Sequence, residues 1–269
     1  DEADVAAGLP KAIAAANQLR KVNSAIEIEP IVADVTSANV LALCDGVDLV
    51  LDGTDNFETR FLVNEAALKL GLPWVYGGAI GATGQTMTIL PGETPCLRCV
   101  VPEPPPPGTM PTCDTAGVLG PLIGVVASIQ ACEGLKIASG NRAAVSRSLT
   151  VIDLWENRIR QLGLEQLRER GCPTCREGDY PWLSGKSGSQ TAILCGRNAV
   201  QISPSGASLS LDALAEKLTG VGRITRNPYL LRLSVDDYLV TVFPDGRAII
   251  GGTDDVSVAR TVYAKYVGA

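Results

Sequence analysis

Apolar and polar positions change period along the first third of the chain. Residues 10–22 ("PKAIAAANQLRKV") place apolar side chains at helical spacing, which predicts an amphipathic helix. Residues 26–35 ("IEIEPIVADV") alternate apolar and polar positions and predict a strand at a sheet edge, since Pro30 lacks the N–H that a central strand needs. Residues 47–53 ("VDLVLDG") form an apolar run that is typical of a parallel strand covered on both faces.

A helical pattern and a further strand pattern follow this run. Residues 57–71 ("FETRFLVNEAALKLG") gather apolar side chains on one face, and Gly71 suits the C-cap of a helix. Residues 73–81 ("PWVYGGAIG") predict the next strand. This alternation predicts the α/β class and a doubly wound sheet. Ligands bind such sheets at the carboxyl ends of the strands, where the polar run Asp52–Asn56 falls.

Two segments of unusual composition come next. Residues 100–113 ("VVPEPPPPGTMPTC") are rich in proline, which fixes dihedrals and removes donors, and they predict a mobile, extended crossover loop. Residues 115–140 predict a long helix that begins near Pro121 and ends at Gly140. The many small residues of this helix indicate close packing against another element.

The last part of the chain predicts a second, smaller domain. Residues 180–191 ("YPWLSGKSGSQT") have the composition of a flexible connector, and a boundary is expected near 183–190. Beyond it, helical and strand patterns alternate, and "PDG" at 244–246 predicts a hairpin turn. The predicted organisation is a first domain over residues 1–182 and a small α+β domain over residues 191–269.

Composition narrows the class of protein. The chain has 269 residues, of which 46% are hydrophobic, so it can form a proper core. Its formal net charge of -6 argues against a surface that binds phosphate backbones, and nucleic acid is not predicted as a partner. No uninterrupted apolar run is long enough to cross a bilayer and no signal-peptide pattern is present, so we expect a cytoplasmic protein without a membrane partner.

Four of the eight cysteines form two closely spaced pairs. Cys96 and Cys99 lie in "CLRC", Cys172 and Cys175 lie in "CPTC", and 72 residues separate the pairs. A two-residue spacer lets a tight turn direct both sulfurs at one ion, and the chain has no histidine, so the pairs predict one tetrahedral zinc site. Disulfide bonds and a redox pair are the alternatives, which a cytosolic protein without a redox context disfavours. Four thiolates leave no open position, so the site is expected to be structural.

Several segments, taken in order, resemble one family. Residues 48–68 ("DLVLDGTDNFETRFLVNEAAL"), 73–89 ("PWVYGGAIGATGQTMTI") and 112–140 ("TCDTAGVLGPLIGVVASIQACEGLKIASG") are similar, together with the two cysteine pairs, to the ThiF, MoeB and HesA family of ubiquitin-like-protein activating enzymes. The ordered combination is more specific than any one motif. The resemblance covers roughly residues 1–182.

The resemblance implies a fold, an activity and partners. In that family a Rossmann-like domain, usually dimeric, binds MgATP and adenylates the C-terminal glycine of a small ubiquitin-like carrier. The carrier then accepts sulfur for thiamine, molybdenum-cofactor or related synthesis. The implied partners are therefore a sulfur-carrier protein, a sulfurtransferase or cysteine desulfurase, and a second copy of the chain.

The resemblance also assigns roles to individual residues. Asp55 matches the aspartate that engages magnesium and phosphate, and Lys11 in "GLPKA" matches the lysine that contacts ATP phosphates. Both types suit a reaction that builds negative charge and expels pyrophosphate. The residues alone leave two alternatives open, a helix N-cap for Asp55 and a solvated first-turn position for Lys11. Asn56 either caps the helix or contacts the nucleotide. Asp52 is expected to contact the residues that bind the nucleotide, and not the nucleotide itself.

The other cysteines differ in their expected roles. Cys113 follows the proline-rich segment, where family members often carry a nucleophilic or sulfur-linked cysteine, and a merely exposed cysteine is the alternative. Cys44, Cys132 and Cys195 are predicted to be small buried apolar residues.

The sequence departs from the family pattern at both ends. Family members normally start with a strand, a glycine-rich phosphate loop and a second strand with an acidic ribose ligand, and this sequence starts at Asp1 after all of them. The run "GGAIGATG" at 77–84 does not replace that loop, because a strand pattern follows it instead of a helix. We expect the natural protein to be longer, or a cleaved piece to complete its sheet. Residues 191–269 lack the cysteine loop of a rhodanese and are expected to bind a partner, to dimerise or to cover the zinc region.

Three functions compete at this point. The leading hypothesis is ATP-dependent adenylation of a ubiquitin-like sulfur carrier. A non-catalytic scaffold or partner subunit is the second, since the phosphate loop is missing. The third is an ATP-dependent dehydratase that acts on a modified tRNA nucleoside, which the acidic charge balance disfavours.

Overall fold

The computed structural model describes residues 1–105, 113–169, 171–187, 191–194, 198–204 and 208–268. Its residues group into two compact units, one of Val35–Gly188 and one that joins Asp1–Asp34 to Ser189–Ala269. The domain limits predicted from the sequence are 1–182 and 191–269, and they stay a prediction.

The secondary structure runs in chain order as follows. The helices are α1 (Glu2–Ala6), α2 (Lys11–Val22), α3 (Val40–Leu43), α4 (Phe57–Leu70), α5 (Leu97–Val100), α6 (Cys113–Ala116), α7 (Gly120–Ala138), α8 (Glu165–Glu169), α9 (Leu211–Lys217) and α10 (Val256–Tyr266), with a 3₁₀ turn at Arg142–Ala144. The strands are β1 (Val50–Leu51), β2 (Trp74–Ile80), β3 (Thr83–Ile89), β4 (Ser148–Asp153), β5 (Arg158–Gly163), β6 (Thr191–Leu194), β7 (Ala199–Ile202), β8 (Arg223–Asn227), β9 (Leu230–Val235), β10 (Tyr238–Val242) and β11 (Ala248–Gly251).

The unit of Val35–Gly188 is built on a five-stranded sheet in the order β1-β2-β3-β4-β5. β1 and β2 are parallel and joined through α4, and the other described pairs of this sheet are antiparallel. The α/β class is therefore confirmed, but the sheet is mixed. The physical reason is the turn at Gly81, whose φ of +56° returns the chain directly into β3 instead of into a crossover helix.

Two strand predictions are corrected. Residues 26–35 form no strand, because Pro30 cannot donate to a ladder and the segment is held instead by Arg20 Nη2, which donates to Ile28 O at 2.7 Å. β1 contains only two residues and is not covered on both faces. Leu51 is 51% exposed, because β2 is the one strand that pairs with β1 among the described residues.

α4 follows its sequence prediction closely. It ends at Gly71, whose φ of +71° is the left-handed C-cap conformation, and Leu72 N closes the last turn onto Ala67 O at 2.8 Å. The apolar face is buried against β2 and the segments around the cysteine pairs, with Phe61 and Trp74 at its centre.

α7 begins with proline in its first turn and ends next to Gly140, as predicted. Within the described residues it is the one helix whose length and composition would allow it to cross a membrane. That is weak evidence, since core helices of soluble proteins meet the same test, and here Gln130 and Glu133 are buried on the face that packs against the sheet and its flanking loop. The predicted burial of Cys132 is wrong, because this cysteine lies on the outward face of α7 and is exposed.

The other unit contains a six-stranded antiparallel sheet in the order β6-β7-β11-β10-β9-β8. The predicted "PDG" hairpin is confirmed, since Gly246 (φ +79°) turns the chain from β10 into β11. The core lies between the sheet and helices α9 and α10, with Leu231, Leu233 and Ile250 fully buried.

Residues 1–34 belong to this second unit through specific hydrogen bonds. Asn227 Nδ2 donates to the carbonyls of Ala7 and Gly8 at 3.3 and 3.1 Å. Asp34 Oδ2 accepts from Gln201 Nε2 at 2.8 Å. The turn that precedes α2 is therefore bonded to the end of β8, which local periodicity does not reveal.

Candidate functional site

The polar run that ends β1 forms a compact turn. Asp52 is buried, and its Oδ1 accepts hydrogen bonds from the backbone N–H and the hydroxyl of Thr54 at 2.8 and 2.7 Å. Its own N–H donates to Val75 O at 3.0 Å and continues the pairing of β1 with β2. Residues 52–56, which we call the β1 lip, therefore lie at the carboxyl end of the parallel pair, where ligands bind in open α/β sheets.

The cap of α4 is Asn56. Its Oδ1 accepts from Thr59 N at 2.8 Å, and its backbone is extended with φ −135° and ψ 150°, as an N-cap requires. Asp55 lies one residue earlier and is exposed, with its Oδ1 3.4 Å from Asn56 Nδ2. The N-cap explanation for Asp55 is thus excluded. Asp55 presents a carboxylate to solvent next to the N-terminus of a 14-residue helix.

Arg60 completes the lip and was missed by sequence reasoning. The residue is 8% exposed, and Nη2 donates to the carbonyls of Thr54 and Gly77 at 2.6 and 3.0 Å. Nε lies 3.4 Å from Asp52 Oδ2, which makes an ion pair in the sheet edge. The guanidinium also lies against the Tyr76 ring, 5.4 Å from its centroid. Arg60 therefore joins α4 to the turn after β1 and to the middle of β2. The signal available in the sequence was an arginine in the first turn after the polar run.

The structure gives different amounts of information on the two remaining predicted residues. Lys11 is the first residue of α2 and is exposed, and it belongs to the unit that contains residues 1–34, whereas Asp55 belongs to the other. Cys113 begins α6, and its side chain lies outside the described residues. Cys195 lies outside them as well.

The two cysteine pairs meet in one cluster. The sulfur atoms of Cys96, Cys99, Cys172 and Cys175 all lie within 4.8 Å of one another. Sγ–Sγ distances are 3.8 Å for Cys96–Cys99, 3.8 Å for Cys96–Cys172 and 3.6 Å for Cys99–Cys175. All four are free, and these distances are far beyond a covalent S–S bond of about 2.05 Å. The disulfide alternative therefore does not describe this cluster.

The spacing of the sulfurs fits a tetrahedral thiolate site. Four sulfurs at about 2.3 Å from a central zinc are about 3.8 Å apart along each edge of the tetrahedron. The three Sγ–Sγ distances of 3.6 to 3.8 Å agree with that edge, and all four sulfurs lie within 4.8 Å of one another. The donor set is suited to a soft or borderline cation such as zinc.

Two buried polar residues of α4 accept hydrogen bonds from the first cysteine pair and from the segment that follows the second pair. Asn64 Oδ1 accepts from Leu97 N at 2.9 Å, between Cys96 and Cys99. Glu65 Oε2 accepts from Leu183 N at 2.9 Å, in the segment that follows the second pair. The pairs are also bonded to each other, because Arg98 Nη1 donates to Thr174 Oγ1 at 2.9 Å. The helix that starts at the β1 lip is therefore also the support of the cysteine cluster.

Glu65 predicts a pH-dependent stability. It is fully buried, burial raises its pKa to about 7 from an ordinary 4.5, and Oε1 has no hydrogen-bond partner among the described residues. The folded protein therefore keeps a proton that the unfolded chain releases, and stability is lost as pH rises from about 4.5 through about 7. We expect Glu65→Gln to be more stable than the parent at pH 8, by up to about 3 kcal/mol, and equal to it near pH 4.5.

Urea unfolding of both proteins at several pH values measures this difference. Glu58→Gln removes an exposed carboxylate from the first turn of the same helix and should show no such dependence. A Glu65→Gln protein that is less stable than the parent at pH 8 would contradict the assignment.

Comparison with known proteins places these features in a family. The model of the ThiF family matches residues 1–174. The sulfur carrier protein ThiS adenylyltransferase of Bacillus subtilis is 41% identical over 99% of this chain and 79% of its own length. The sulfur carrier protein adenylyltransferase of Thermus thermophilus is 41% identical over 65% of this chain and 65% of its own. The crystal structure of Escherichia coli MccB with succinimide is 18% identical over 58% of this chain and 48% of that one, with a TM-score of 0.48. By the family match and the near full-length similarity to the Bacillus protein, the chain belongs to the ThiF family.

Proposed function

We propose that this protein is an adenylyltransferase that uses MgATP to activate the C-terminal glycine of a ubiquitin-like sulfur carrier of the ThiS type. The observation that carries the proposal is the 41% identity to a ThiS adenylyltransferase over 99% of the chain. The geometry of the β1 lip supports it, because an exposed carboxylate stands at the end of a parallel strand beside a helix N-terminus.

Asp55 is the residue of the β1 lip that suits magnesium. Mg²⁺ prefers oxygen ligands and is commonly held by one or two carboxylates together with substrate phosphates. In the reaction, an oxygen of the carrier's C-terminal carboxylate attacks the α-phosphorus of ATP, the new P–O bond forms, and the bond to the β-phosphate breaks to release pyrophosphate. Asp55 would hold the magnesium ion, which would supply charge stabilisation to the phosphates as pyrophosphate leaves. Asn56 is proposed to contact the nucleotide through its side-chain NH₂ group, because the side-chain oxygen caps α4.

The other site residues and partners belong to the same proposal. Lys11 contacts the ATP phosphates, and Cys113 is the thiol that takes part in sulfur transfer. A sulfurtransferase or cysteine desulfurase supplies the sulfur, and the protein acts as a cytoplasmic homodimer with a Rossmann-like, doubly wound core. These roles rest on the family membership and on the positions of the residues in the sequence.

The cysteine cluster is proposed to hold zinc in a structural role. Its four thiolates would occupy every position of a tetrahedral ion, which leaves no coordination site for water or substrate. The contacts of Asn64, Glu65 and Arg98 explain how residues far apart in sequence are presented to one ion. No chemical step passes through this ion.

ATP–pyrophosphate exchange tests the proposed function. We expect label from pyrophosphate to enter ATP when a ThiS-type carrier is present, and not when the carrier lacks its C-terminal glycine. A folded, magnesium-saturated protein that catalyses no exchange with any sulfur carrier would contradict the proposal and support a non-catalytic role.

A further inference from the structure

The glycines of the β2–β3 hairpin form a seat for α7. A Cβ atom at Gly77 would lie 2.6 Å from the amide group of Gln130, and one at Gly84 would lie 2.7 Å from Val126 Cγ2 and 2.9 Å from Leu122 Cδ1. Such distances are too short for carbon contacts. The helix therefore packs directly on the strand backbone, and the run "GGAIGATG", which is no phosphate loop, serves close packing.

Gln130 uses this close approach to reach the origin of the β1 lip. The residue is 7% exposed, and Nε2 donates to Asp52 O and Val75 O at 2.9 and 3.0 Å. Because both acceptors are carbonyl oxygens, the amide must present its NH₂ group to them. One side chain of α7 thus joins the last hydrogen-bonded position of β1 to the neighbouring strand, at the residue where the lip begins.

The same hairpin also fixes the segment that follows Cys113. Gly81 N donates to Gly117 O at 2.9 Å, and Leu119 N donates to Gly81 O at 2.8 Å. α6, which begins at Cys113, is joined through these residues to the N-terminus of α7. The β2–β3 hairpin and α7 therefore connect the segment that follows α6 to the β1 lip by hydrogen bonds and direct packing.

We propose that Gln130 is a positioning residue of the adenylation reaction. It holds the carbonyl of Asp52 and thereby the place of Asp55, and α7 carries this constraint to the segment after Cys113. The inference rests on the proposed function. Gln130 acts through the lip, because both of its described hydrogen bonds are to the strand carbonyls.

Gln130→Met is the direct test, since methionine has nearly the same size and no donor. We expect a folded protein in which the hydrogen-bonded amides of Asp52 and Thr54 exchange hydrogen at least tenfold faster, while those of β4 are unchanged. We also expect kcat/KM for ATP to fall about 10- to 100-fold, because small displacements of catalytic groups are costly. Gly124→Ala is the matched control, since this glycine lies on the exposed face of α7 with nothing within 4 Å, and it should change neither readout.

Gly77→Ala provides a second variant that does not alter Gln130 itself. In the parent, the added methyl group should displace the amide of Gln130 and lower kcat/KM as Gln130→Met does. In a Gln130→Ala background, Gly77→Ala should lower kcat/KM little further, because no amide then occupies that space. If Gln130→Met does not fold, the comparison of Gly77→Ala in these two backgrounds decides whether Gln130 positions the β1 lip. Lip amides that exchange at the parental rate, or a kcat/KM within twofold of the parent, would overturn the proposal. If the parent itself shows no exchange of pyrophosphate, the proposed function fails, and the amide measurement still decides whether Gln130 holds the lip.

Discussion

Asp55→Asn is expected to lower carrier-dependent ATP–pyrophosphate exchange by about 10²- to 10³-fold, the scale seen when a group that stabilises transition-state charge is lost. Asparagine keeps an oxygen next to Asn56 Nδ2 but carries no charge to hold magnesium. The fold should be unaffected, because the exposed Asp55 does not cap α4 and Asn56 does. Exchange rates over a range of Mg²⁺ concentrations, together with a thermal melt, measure both effects.

Glu58→Gln is the matched control for Asp55→Asn. It removes the same charge from an exposed position three residues further on, inside the first turn of α4. Exchange in this variant should stay within about twofold of the parent, as surface substitutions generally have small effects. An Asp55→Asn protein that retains parental exchange at low magnesium would remove Asp55 from the reaction and leave the β1 lip as a structural turn.

The parts of the structure that the sequence predicted are those with local signals. α4 carries its N-cap, its apolar face and its terminal glycine within one stretch of chain, and the "PDG" hairpin is equally local. The two CxxC motifs are local as well, and together they predicted one shared metal site although 72 residues separate them. Periodicity and turn chemistry act over a few residues, so these features were accessible.

The parts that were missed depend on distant contacts. Gln130 lies 78 residues from Asp52. The sequence shows it only as a polar residue within an apolar helix and does not reveal which backbone groups it contacts. Arg60 reaches the carbonyl of Gly77, 17 residues away, and its pattern position is that of an ordinary helical arginine. The glycines at 77–84 had the composition of a phosphate loop, and the following strand pattern excluded that role without revealing the packing of α7. The exposure of Cys132 likewise depends on which face of α7 meets the sheet.

Cys99→Ser is expected to abolish the binding of one zinc ion per chain and to destabilise the protein by about 4 kcal/mol or more, as loss of a structural metal does. For a unit of this size, that corresponds to a fall in Tm of about 10 °C. Three Sγ–Sγ distances are 3.6 to 3.8 Å and all four sulfurs lie within 4.8 Å of one another, so the cluster can offer four ligands to one ion. Zinc content by atomic absorption after dialysis and thermal melts with and without a chelator measure the two effects.

Cys132→Ser is the control for this variant, because Cys132 is exposed on α7 and lies outside the cluster. It should keep the metal and the Tm of the parent. Since the thiolates leave no open coordination position, exchange activity in Cys99→Ser should fall in proportion to the folded fraction, and activity per folded molecule should stay near the parental value. A parent protein that binds no zinc after reconstitution would contradict the metal assignment. A Cys99→Ser protein that is fully folded but inactive would contradict the structural role. The ion would then have to act on the reaction itself and not on the stability of the fold.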